Sequence, residues 1–122
     1  MYEIQEEYTN TIIEMKSKFI AYFIPFHDVE SFKQRLKLIE KEHHKARHVV
    51  YAYRIGNSAK STDNGEPKHT AGRPLLDLLM KKDINNAAII VVRYFGGTLL
   101  GAGRLLRTYL NSGVEVVKKA GL

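Results

Sequence analysis

The sequence contains no cysteine. Disulfides, thiol catalysis and the usual cysteine-built structural zinc sites are therefore excluded. No segment approaches the roughly 18 uninterrupted apolar residues that a membrane helix needs. The N-terminal stretch from Met1 to Glu7 is acidic and has neither the basic start nor the apolar core of a secretory signal. Internal repeats and low-complexity tracts are lacking too. These absences point to a cytoplasmic protein with no membrane partner.

What is present is a chain of 122 residues, 44% apolar, which suits one domain with an ordinary core. The net charge of +6 is unevenly spread. Residues 1–40 carry 5 Lys/Arg against 7 Asp/Glu, and residues 41–122 carry 14 against 6. So basic a remainder suits an anionic partner such as RNA or phosphate, although mild basicity also serves solubility alone.

Residues 11–15 and 18–24 are rich in β-branched and aromatic side chains and read as strands, the second ended by Pro25. Asp28 is placed to cap a helix over about 29–43, with Val29, Phe32, Leu36 and Ile39 on its buried face. A strand is expected over His48–Ile55. From Gly56 to Arg73 glycine, asparagine, aspartate and proline predominate, and a long loop is expected. Pro74 opens a short helix through about Lys82. The unbroken apolar run Ala87–Val92 reads as a strand covered on both faces, hence central in its sheet. A last helix spans Ala102–Lys119, with Leu106, Leu110, Val114 and Val117 as its buried stripe and Gly121 as its C-terminal cap. The implied fold class is α/β (α+β): a two-layer sandwich of a mixed sheet with helices on one face.

Two segments concentrate the residues able to do chemistry. In the first, a buried strand runs through Arg93 into a loop holding Gly96, Gly97, Gly101 and Gly103, and a helix begins at once, with Arg104 and Arg107 beside it. Glycines let backbone N–H groups converge on an anion, and a helix start adds free donors and partial positive charge. The competing reading is a tight strand-to-helix turn that needs glycine for packing alone. No Gly-Lys-Ser/Thr follows and the spacing fits no dinucleotide fingerprint. The second segment runs Ser61 to Pro74 and contains Asp63, Glu66 and His69. A metal or acid–base group is conceivable there. The plainer reading is an Asn64-Gly65 turn, a helix cap by Thr70 or another small residue, and solvated charges. His43, His44 and His48 lie among Lys41, Lys45 and Arg47, as at an exposed basic helix end. Tyr51, Tyr53 and Tyr94 could stack on bases but suit strand packing better. No Ser/His/Asp triad can be assembled and no metal or cofactor is implied. Catalytic residues are not expected, and neither is enzymatic activity.

Asp63-Asn64-Gly65-Glu66-Pro67, then Thr70-Ala71-Gly72-Arg73-Pro74, resembles two blocks of the Impact/YigZ family (uncharacterised protein family 0029). Val92-Arg93-Tyr94-Phe95-Gly96-Gly97, with Leu100-Gly101 and Gly103, resembles that family's glycine signature. Lys16–Ile20 and the stretch from Ala46 to Gly56 add to the likeness, which spans nearly the whole chain. Membership implies the fold of domain 2 of ribosomal protein S5 and an association with translation or its regulation. Bacterial relatives usually continue into a ferredoxin-like domain, so residues 1–122 are expected to form a single domain of the N-terminal Impact type without that second one. Many relatives have Gly-Leu where this chain has Arg104-Leu105. The resulting expectation is a non-catalytic binding module that contacts RNA, the ribosome or a translation-related protein through its glycine-rich loops. Arg93, Arg104, Lys68 and Arg73 are expected on one anion-binding surface with Gly96, Gly97, Gly101 and Gly103. Asp63, Gly65, Glu66, Pro67, Thr70 and Gly72 make up the second family loop. The alternative is an enzyme acting on a small phosphorylated substrate held at the glycine loop.

Overall fold

A computed structural model describes residues 1–122. Its elements are β1 (Tyr8–Glu14), β2 (Ser17–Pro25), α1 (Val29–Glu42), β3 (His48–Ile55), β4 (Ser58–Thr62), α2 (Gly72–Lys81), β5 (Ala87–Tyr94) and α3 (Ala102–Lys119). The strands form one sheet in the order β1-β2-β5-β3-β4. Every strand pairing is antiparallel, so the α+β sheet is not mixed. The one parallel contact is an isolated bridge between Tyr2 and Ile84.

The unbroken apolar run lies at the centre of the sheet, as its composition requires. Ala87, Ile89 and Val91 face one core and Ala88, Ile90 and Val92 the other. Each isoleucine or valine among them, fully buried, contributes about 1.5–3 kcal/mol. The first core holds α2 and α3. The second holds α1, so the helices do not share one face. Phe32 of α1 packs edge-on against Phe26 at 5.6 Å and Tyr51 at 4.9 Å, and tilted against Tyr53 at 4.8 Å. Two-sided burial of β5 demands this arrangement: a strand apolar on both faces needs a helix layer on each. Asp28 caps α1 by accepting from the Ser31 N–H at 2.7 Å. That hydrogen bond holds its carboxyl below the ordinary range.

Three further expectations change. The long loop contains β4, joined to β3 by the two-residue turn Gly56-Asn57, with Ile55 opposite Ser58. The strand Ser-Ala-Lys-Ser-Thr is an exposed edge without apolar alternation, which hid it. The buried stripe of α3 is Leu105, Tyr109, Ser112 and Val116 with Val117, not the Leu106–Val114 row. Small Ser112 and Gly113 let α3 approach its neighbours closely. A Cβ on Gly113 would stand 2.6 Å from Leu75 Cδ2 of α2. Leu106, Leu110 and Val114 instead border a groove between α2 and α3. Finally, His43 is not a free basic helix end. It lies 2.7 Å from the Tyr22 hydroxyl and 2.6 Å from the Tyr94 hydroxyl, tying the end of α1 to β2 and β5.

Candidate functional site

Both family loops meet at the end of the sheet where β5 stops and α3 begins. Arg93 continues the parity of Ile89 and Val91, so its side chain enters the α2/α3 core and is only 5% exposed. Glu66, brought there by the second loop, is 7% exposed. Arg93 Nη1 donates to both Glu66 oxygens, at 2.9 and 2.7 Å. The Tyr109 hydroxyl donates to Glu66 Oε2. His48 Nε2 lies 3.4 Å from Glu66 Oε1, while its Nδ1–H donates to the Asn64 carbonyl at 2.8 Å. Burial, with the Glu66 carboxylate beside it, pushes the Tyr109 hydroxyl well above its ordinary range, so it remains a donor. The carboxylate is thereby met from three sides, as a buried charge requires. Arg93 Nε is buried without a partner.

The second loop is built around this pair. Asp63 accepts from the N–H groups of Ala71 at 3.1 Å, Gly72 at 3.0 Å and His69 at 2.8 Å. It thus supplies the cap that Ala71 cannot give to α2. Thr70 does not cap the helix; its hydroxyl donates to the Pro67 carbonyl. Asn64 and Gly65 both have positive φ and turn the chain beneath the His48 ring. Gly72 passes against β4, where a Cβ would stand 2.5 Å from the Thr62 carbonyl oxygen. The solvated-charge reading therefore fails for Glu66 and Asp63. No group of three or more His, Cys, Asp or Glu is placed to hold a metal ion.

The glycines of the first loop have different reasons. Gly96 approaches the β1–β2 turn so closely that a Cβ would stand 2.1 Å from the Lys16 carbonyl carbon, and its N–H donates to Ser17 Oγ at 3.2 Å. Its role is packing. Gly97 at φ +93° and Gly101 at φ +80° face open space. Gly101 is the N-cap of α3 and offers no side-chain cap, so the first-turn N–H groups of α3 stay open. Gly103 lies exposed in that first turn.

A cavity of about 260 Å³ lies beneath the loop, lined by Arg47, His48, Glu66, Arg93, Phe95 and the Gly101–Ala102 helix start, among others. The Arg47 guanidinium lies 4.7 Å from the Phe95 ring centroid and that of Arg93 lies 5.8 Å from it. The four cations expected on one surface are dispersed. Arg93 is inside the cavity and neutralised by Glu66. Arg104 is exposed on the outer side of α3, 3.6 Å from Glu14, in a separate hollow with Arg107. Arg73 pairs with Asp77 at 3.3 Å in the α2/α3 groove, and Lys68 is exposed on the loop between. Sequence reasoning missed Tyr109, His48 and Arg47. The alternation through β5 was the available signal: it puts Arg93 on a fully buried face, where a counter-charge and further donors must be found.

A profile of the Impact N-terminal domain matches residues 15–117. IMPACT family member YvyE of Bacillus subtilis is 35% identical over 99% of this chain, which covers 57% of that relative. A crystal structure described only as that of a hypothetical protein superposes with a TM-score of 0.92 at 30% identity, over 95% of this chain and 59% of that one. A two-domain translational regulator, Yih1, superposes with a TM-score of 0.55 at 27% identity, over 96% of this chain and 46% of that one. The chain thus spans about half the length of the proteins it resembles. No helix is long and apolar enough to cross a membrane.

Proposed function

The chain belongs to the Impact N-terminal domain family, and from that premise we propose that it is a binding domain in the regulation of translation that contacts the phosphate backbone of RNA at its glycine-loop end. The similarity to Yih1, a translational regulator, supports the setting. The observation that carries the choice of partner is the open, uncapped start of α3 with unpaired cations around it. Lys16, Arg47, Lys68 and Arg107 are exposed and join no ion pair. Arg93 contributes by holding the loop through Glu66, and the exposed cations meet the RNA.

Binding rather than catalysis is supported by how the candidate acid–base groups are engaged. Asp63 holds backbone N–H groups, Glu66 holds Arg93, and His69 lies at the α2/α3 groove. The test is RNA binding at several salt concentrations, with an Arg47→Ala/Arg107→Ala double variant and heparin as a generic polyanion. The expected result is weaker RNA binding in the variant and a salt slope reduced by about one to two. Wild-type affinity and slope in the variant would remove this surface from the reading.

A further inference from the structure

Arg93 is a buried cation with donors to spare. Glu66 is hydrogen-bonded through Nη1 alone, and Nε has no partner although Arg93 is 95% removed from solvent. A buried donor left unmet is costly, and folded proteins seldom leave one without a use. Arg93 also lines the cavity of about 260 Å³. The cavity wall includes Gly101 and Ala102, the uncapped start of an 18-residue helix, whose free N–H groups and dipole favour an anion. Arg47 adds a second guanidinium. The remaining lining is largely apolar, with Phe95 and Leu105 among it.

We infer that this cavity is a binding site for a phosphate monoester. A terminal phosphoryl group presents three oxygens on one substituent. Those oxygens match a set of donors drawn from Arg93, Arg47 and the first turn of α3. A carboxylate offers two oxygens and less charge to the same set. An internal RNA phosphodiester continues as chain on two sides and cannot bring its oxygens down to a side chain this deeply buried. The Glu66 carboxylate also lines the cavity, but both its oxygens are held by Arg93, with the Tyr109 hydroxyl on one and His48 beside the other. The apolar lining, with Leu99, Leu100 and Leu105, receives the organic part of the ester. A free nucleotide or sugar phosphate and the 5′-phosphate of an RNA end carry the same group, so the site does not depend on RNA being the partner.

The test is calorimetric titration of the full chain with inorganic phosphate, adenosine and adenosine 5′-monophosphate, and one RNA oligomer with and without a 5′-phosphate. Two variants accompany it, with circular dichroism and the thermal midpoint as checks on folding. Arg47→Ala removes an exposed guanidinium. Ala102→Pro removes one N–H at a helix position where proline fits. The expected result is binding at least about tenfold tighter for a phosphorylated ligand than for its hydroxyl counterpart, with that ratio falling towards one in the variants. Adenosine 5′-monophosphate alone showing the preference identifies a small-ligand site; the oligomer showing it identifies an RNA end. Equal binding of phosphorylated and hydroxyl forms overturns the monoester site and leaves the RNA reading standing. A preference undiminished in both variants also overturns it. Monoester binding without any RNA binding upholds the site and removes the RNA reading.

Discussion

Arg93 and Glu66 form an ion pair whose members are 6% and 3% exposed at the side chain. Removing one member of such a pair leaves a buried charge without its counter-charge. Glu66→Gln is therefore expected to cost about 3–5 kcal/mol in urea unfolding, a loss out of proportion to one exchanged atom. A change under about 1 kcal/mol, typical of an exposed pair, would contradict the burial described here. At this scale the sequence was half legible. The motif residues stand out, and they do converge. Their roles were obscured because an arginine beside glycines looks the same whether it faces solvent or a carboxylate. Arg93 lies two residues beyond Val91 on the same strand face, so the alternation already committed it to the core. Glu66 and Asp63 could not be told apart in advance, because a loop has no such period. Which carboxylate turns inward depends on the positive-φ turn at Asn64 and Gly65.

Among the elements, the glycine loop mixes two requirements that look identical in sequence. Gly96 must lack a side chain because the β1–β2 turn leaves no room. Gly103 has an ordinary helical position, and the nearest atom to a Cβ there is the mobile end of Arg107 at 3.5 Å. Gly96→Ala should therefore destabilise by about 1–3 kcal/mol as loop and hairpin are forced apart. Gly103→Ala should leave stability unchanged or slightly raised, because alanine favours the helix. Thermal unfolding of the two variants side by side decides this, and equal effects would refute the distinction. The other elements divide by how much periodic apolar signal they carry. β5, β3 and the ends of α3 were readable from it. β4 was not, being polar and exposed on an edge. The buried face of α3 was misplaced because Leu106, Leu110 and Val114 outrank Ser112 and Gly113 in hydrophobicity. Contact with α2 and the sheet selects small residues there. The separate layer of α1 was implied by the two-sided run of β5, since one face could not accommodate every helix.

For the molecule as a whole, the unpaired cations are what a polyanion would meet first. Where β5 ends and α3 starts, Lys16, Arg47, Lys68 and Arg107 are exposed and join no ion pair, while Glu66 cancels the arginine inside. At the opposite end of the sheet, Arg54 and the N-terminal amine both meet Asp83, 3.2 Å from each. Attraction of these unpaired cations for a polyanion should be strong in dilute buffer and weak beyond a Debye length of about 8 Å at physiological salt. The most direct test of RNA binding at the glycine-loop end is an NMR titration of the amide-labelled chain with a short single-stranded RNA at low and physiological salt. Shifts are expected at the Gly97–Arg104 amides and at Arg47, Lys16 and Lys68, growing with RNA and shrinking with salt. Shifts confined to α1 or to the α2/α3 groove, or no shifts at low salt, would contradict the account.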